Sequence, residues 1–129
     1  MIEIDVAPSP SQLRNVRGAL RVGLEETRLE NEHIEGILAV ATELLGVALE
    51  GRVKGHLVLS VDTFTLLTSV RVHCPTQVQL RDEPFGIRDR VLGGFAFAWG
   101  KRQHVDGSVD LWAELAKRVP LATSRVIGR

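Results

Sequence analysis

The stretch whose reading decides the fold is Asn31–Glu50, NEHIEGILAVATELLGVALE, with apolar residues at Ile34, Ile37, Leu38, Ala41, Leu44, Leu45, Ala48 and Leu49. At about 100° per residue these positions gather on one side, the period of a helix laid against a core. Asn31 offers an N-cap, Glu32 and Glu35 put negative charge in the first turn where the helix dipole favours it, and Gly51 closes the run. Val40, Glu43, Val47 and Glu50 make a second stripe at helical spacing. A core helix rarely needs one, so the stripe predicts a second contact surface for a ligand, a lid or a partner. The competing reading is a partly exposed helix with stray valines, which are ordinary on surfaces.

Upstream, Ile2, Ile4 and Val6 alternate with Glu3 and Asp5, the period of a strand with one buried face, ending at Pro8. The Pro8-Ser9-Pro10-Ser11 cluster breaks it, and Leu13, Val16, Leu20 and Leu24 then recur at helical spacing, predicting a helix from about Ser11 to Thr27 with a solvated face of arginines and glutamates. Downstream, His56–Val61 and Leu66–Cys74 read as an antiparallel hairpin turned at Asp62 and Thr63. Pro75–Arg90 has no sustained period and predicts a long loop of functional kind. Val91–Ala98 is either a short helix containing Gly93 and Gly94 or a strand. Asp106-Gly107 is the strongest short hairpin signal, flanked by Lys101–Val105 and Val109–Leu115, which puts Trp99 and Trp112 on paired strands or at their ends. Both tryptophans and the run Phe95-Ala96-Phe97-Ala98 are expected to close the core.

The chain has 129 residues, enough for one compact domain, and equal numbers of basic and acidic residues, 16 each, which argues against direct nucleic-acid binding. Cys74 is the sole cysteine, so an intramolecular disulfide and a cysteine metal cluster are excluded. Adjacent residues on a strand face opposite sides, which makes Cys74 a buried thiol rather than a nucleophile paired with His73. The histidines His33, His56, His73 and His104 lack metal-ligand spacing, and no metal site is expected. The start MIEIDVAPSP has neither the basic nor the apolar region of a leader, and no apolar run approaches the ~18 residues of a membrane span, so a cytoplasmic protein is expected. Helices gathered on one face of a mainly antiparallel sheet make an α+β sandwich.

Three landmarks carry a resemblance: AVATELLGVA at Ala39–Ala48, RVLGGFAFAWG at Arg90–Gly100 and DGSVDLWAEL at Asp106–Leu115. With the element order, they resemble the small anti-sigma-factor serine kinases of bacterial partner switching, which have the histidine-kinase-like ATPase fold. In that family they correspond to the E-L-x-x-N-A helix, the R-G-L helix ending in W-G, and the G-x-x-x-W final hairpin. The resemblance runs from the first strand to about Leu115. It implies a two-layer α+β sandwich, a mostly antiparallel mixed sheet with helices on one face, as a single domain over 1–117 followed by a basic tail over 118–129.

The resemblance also implies a site and its loss. Glu43 stands at the position of the glutamate that polarises the attacking hydroxyl, but Val47 stands where an asparagine holds Mg²⁺, an ion that demands oxygen ligands. The adenine-reading D-x-G-x-G is replaced by His73, Cys74, Pro75 and Thr76. Val91 replaces the glycine of R-G-L, leaving Gly93 and Gly94 to approach a phosphate in a shifted register, and Ser108 replaces a threonine. The expected cleft is thus Glu43, Val47, Gly93, Gly94 and Ser108, with Glu43 as the catalytic base and ATP and Mg²⁺ as cofactors only if the cleft works. The expected function is an anti-sigma-like regulator that binds a sigma factor or a STAS-type anti-sigma antagonist without catalysis, with the first helix and strand serving either self-association as a homodimer or a protein partner. The alternatives are an active serine kinase and a small-molecule binder reusing the cleft.

Overall fold

Strand β1 (Ile2–Val6), helices α1 (Leu13–Glu25) and α2 (Asn31–Glu50), strands β2 (Leu57–Thr63) and β3 (Leu67–Cys74), helix α3 (Asp89–Phe95) and strands β4 (Ala98–Gln103) and β5 (Val109–Ala116) follow one another along the chain. The computed structural model describes residues 1–51, 53–75, 80 and 84–117. The expected basic tail, the Thr76 position and residues 76–79 and 81–83 of the expected long loop lie outside the described residues, while the end of that expected loop is ordered as a helical turn at Gly86–Arg88 leading into α3.

The strands form one sheet in the order β1-β2-β3-β5-β4, and every pairing is antiparallel. The mixed sheet expected from the resemblance is therefore antiparallel throughout the described residues. Alternation sorts the side chains. Val6 lies opposite Leu57, Leu59 opposite Val72, Val61 opposite Val70, and Val72 opposite Leu111, all buried on the helix-covered face. Ser69, Arg71 and His73 on β3 and Asp110, Trp112 and Glu114 on β5 take the other face.

Helix α2 has the predicted ends and touches the sheet through β3 and β5, with α1 and α3 packed against it as well. It is consequently buried nearly all round. Val40 and Val47 are 0% and 1% exposed, as deep as Ile37 and Leu44. The second stripe is thus not a free contact surface: its valines join the core, and only Glu43 and Glu50 reach the margin. The cap differs too. Glu30 is the N-cap and Asn31 the first helical residue, with no side-chain cap bond. The Gly51 N–H closes the far end on the carbonyls of Val47 and Ala48, both at 3.1 Å. Near the start of the helix, His33 Nε2 pairs with the fully buried Thr68 hydroxyl of β3 at 2.7 Å, satisfying a polar group that burial would otherwise penalise. Burial, helped by Lys117, pushes the His33 imidazole below its ordinary pKa.

Val91–Ala98 resolves into α3 followed by the first residue of β4, with Phe95 and Phe97 exposed and Ala96 buried. The two phenylalanines do not close the core. Trp112 does not either: it lies on the face away from the helices, over Gly100, where a Cβ would stand 3.1 Å from its ring. Trp99 does pack against the core, and its indole N–H donates to Asp89 at 2.9 Å, joining β4 to the start of α3.

Truncating a fully buried α2 side chain creates a cavity. Leu44→Ala should cost about 2–5 kcal/mol in urea denaturation, whereas Leu66→Ala, 71% exposed, should stay within about 0.5 kcal/mol. Equal effects of the two would contradict this packing.

Candidate functional site

The cleft expected from the resemblance does not assemble. Among the described residues, Glu43 lines a groove of about 560 Å³ between α2 and residues 84–91, but Val47, Gly93, Gly94 and Ser108 do not. Val47 is in the core. The Cβ position of Gly93 faces the Trp99 ring at 3.4 Å, while Gly94 lines a different depression beside His33 and Phe95. Ser108 is buried in the β4–β5 turn, where its hydroxyl donates to Asp106 Oδ1 at 2.6 Å.

Glu43 is held by Arg88, whose guanidinium donates to Glu43 Oε2 and to Glu50 Oε1, each at 2.5 Å. The seat for that guanidinium is Gly46. A Cβ there would come within 2.8 Å of three guanidinium atoms, so the bare helix backbone is what lets the planar cation lie down between two carboxylates about two turns apart. The Glu43 arm is the more sheltered, with side chains 25% and 20% exposed; the Glu50 arm is mostly in water and correspondingly weaker. Glu43 thus stands in the groove as the partner of a guanidinium.

The denser polar constellation is on the opposite face. Asp110, on β5 and only 8% exposed, accepts from His73 Nδ1 at 2.6 Å through one oxygen and from His104 Nε2 at 2.9 Å through the other. His73 is its direct cross-strand partner on β3. His104 follows β4 at the mouth of the hairpin, fixed by its N–H to the Ser108 carbonyl at 2.8 Å and by its carbonyl accepting from Gly107 at 3.0 Å. Gly107 has φ +89°, a left-handed turn residue that glycine allows. Burial works against the Asp110 charge, but the two imidazole hydrogen bonds outweigh it and hold the carboxyl below its ordinary range. A depression of about 200 Å³ adjoins this group, lined by Arg71, Arg102, Trp112 and Glu114.

Spacing along the chain did not reveal this cluster, because its members come from β3, the β4 end and β5. The signal available was period two: His73 alternates with the apolar Val72 and Cys74, and Asp110 with Val109 and Leu111, so both had to leave the core on the same face once β3 and β5 paired. Cys74 is fully buried on the other side, as expected, and burial pushes its thiol up to about 12.

Because the folded Asp110 pKa is depressed, its stabilisation is present above the unfolded carboxyl value, near 3.9, and is lost as pH falls through the folded value. Asp110→Asn should therefore be less stable than the parent by about 1 kcal/mol at neutral pH, the difference shrinking as pH falls below about 4. Urea denaturation across that range reads it, and a difference independent of pH would refute it.

Compared with known proteins, the chain matches no protein-family model and no curated protein.

Proposed function

We propose that this chain is a regulatory binding module of anti-sigma type that uses the framework of the histidine-kinase-like ATPases without their chemistry, and that it binds a sigma factor or a STAS-type anti-sigma antagonist. The observation that carries this reading is the Arg88 clamp. The carboxylate that would orient a nucleophile is paired with a guanidinium seated on Gly46, and the side chain one turn on, Val47, is an apolar core residue. Mg²⁺ would need an oxygen ligand at that position, and none is present. The residues do not fit ATP and Mg²⁺, so no phosphoryl-transfer step is assigned to them.

A second observation supports a protein partner. Phe64, Leu66, Phe95 and Phe97 are 56%, 71%, 47% and 59% exposed. They flank the end of β5: Phe97 N–H donates to the Glu114 carbonyl, the Leu66 carbonyl accepts from Lys117, Phe64 N–H closes the β2–β3 turn on the Leu67 carbonyl, and Phe95 lines a depression with Leu115 and Ala116. Four exposed large apolar residues around one end of the sheet support an interaction surface there.

Calorimetric titration with ATP and Mg²⁺ should give no specific complex, where a micromolar one, about −8.2 kcal/mol, would be plain. Sigma factors and STAS proteins from the same genome, titrated pairwise, should yield one that binds at a fixed stoichiometry. Phosphoserine on such a partner, formed from ATP and abolished by Glu43→Ala, would overturn the reading. Val47→Asn should not create a nucleotide site. Instead it should cost about 1–3 kcal/mol of stability, by leaving a buried amide without partners.

A further inference from the structure

We propose that His73, His104 and Asp110 form a divalent transition-metal site, with Zn²⁺ as the ion that fits best, on the open face of the sheet. The inference does not depend on whether the other face ever held a nucleotide.

The ligand atoms are already gathered: one ring nitrogen of His73, one of His104 and one Asp110 carboxylate oxygen lie within 4.8 Å of one another, with His73 Nδ1 and His104 Nε2 each bonded to the carboxylate. Bonds of about 2.0–2.2 Å to an ion in tetrahedral geometry set ligand atoms roughly 3.4 Å apart. The imidazole–carboxylate separations of 2.6 and 2.9 Å must open slightly to reach that value, and the separation of the two ring nitrogens need only close from no more than 4.8 Å. Side-chain rotation covers such changes. The backbone positions need not move, because Asp110 and His73 are registered neighbours in adjacent strands and His104 is held by two hairpin hydrogen bonds.

The donor set selects the ion. Two imidazoles and one carboxylate suit Zn²⁺ and its neighbours, not Mg²⁺ or Ca²⁺, which want oxygen alone. In the metal-free state each ring nitrogen facing Asp110 carries the proton it donates to the carboxylate. On binding, each neutral ring shifts that proton to its other nitrogen, the freed lone pair enters the metal, and the carboxylate exchanges two hydrogen bonds for a metal bond. Asp110 supplies the negative charge at the base of the site. The His73 and His104 side chains are 43% and 37% exposed, so an ion reaches them from solvent and a fourth position stays open. Arg71 and Arg102 border that opening and oppose the cation, but both are exposed and their fields are screened. The same guanidiniums suit an anion as fourth ligand.

The test uses the full chain without an affinity tag, in metal-free buffer. Titration with ZnCl₂ should show one ion per chain, and Co²⁺ should give the visible absorption of a tetrahedral site. His73→Gln and His104→Gln should each weaken Zn²⁺ binding by tenfold or more, while His33→Gln, on the helix-covered side of the sheet beside Thr68, should leave it unchanged. In the unaltered chain, ring-nitrogen NMR should show Zn²⁺ perturbing His73 and His104 but not His33, which keeps the proposal testable if either variant folds poorly. Absence of Zn²⁺ binding, binding as tight in His104→Gln as in the parent, or Zn²⁺ shifts confined to other histidines would each overturn it.

Discussion

Everything in this fold depends on α2 being surrounded. A helix with Ile37, Leu38, Val40, Leu44, Val47 and Ala48 at no more than 2% exposure needs cover on more than one side, and the sheet alone supplies one. α1 and α3 supply the rest, each with its own apolar stripe: Val16, Leu20 and Leu24 from the first, Leu92 from the second. Side chains of α2 are also tied to other parts of the chain by directional bonds: His33 to Thr68, Glu35 to Arg21, and Glu43 and Glu50 to Arg88.

Among the described residues the helices lie on one side of the sheet, and its other face carries no second layer and is free to be polar. Gly100 and Trp112 show how that face is still kept flat enough to pack: the missing side chain on the edge strand is filled by the indole of its cross-strand partner. Beside it, Asp110 collects two imidazoles from either side of its own strand. A buried carboxylate with two donors is well satisfied, and the desolvation that would disfavour its charge is more than offset.

Much of the architecture was legible in the sequence because two periods, 3.6 and 2, are nearly uninterrupted. The ends of α2, the alternation of β1, the β2–β3 hairpin and the Asp106-Gly107 turn are all local facts, although the hairpin turns at Phe64–Leu67 and not at Asp62 and Thr63, which are paired within the strands. The failures were tertiary. Nothing local tells Val40 and Val47 that α3 and its surroundings will enclose them, and nothing local tells Trp112 or the phenylalanines at 95 and 97 which side of the sheet they will meet. The Arg88 clamp needed knowledge that residue 88 returns to residue 46, and the histidine cluster needed the pairing of β3 with β5 rather than with β4. Long-range pairing choices of this sort leave no trace in a window of ten residues.

The alternation of β3 has a consequence for how this gene tolerates insertions and deletions. Val70, Val72 and Cys74 face the core while Ser69, Arg71 and His73 face solvent, with β2 on one side and β5 on the other fixing the phase. Losing one codon within the strand would turn it over. The guanidinium of Arg71 would be driven under α2, and the thiol of Cys74, now kept inert by burial, would emerge as an oxidisable group beside Asp110. A frame-preserving lesion in this strand is therefore a chemical inversion as much as a loss of packing, whereas the stretches joining the elements carry no such parity.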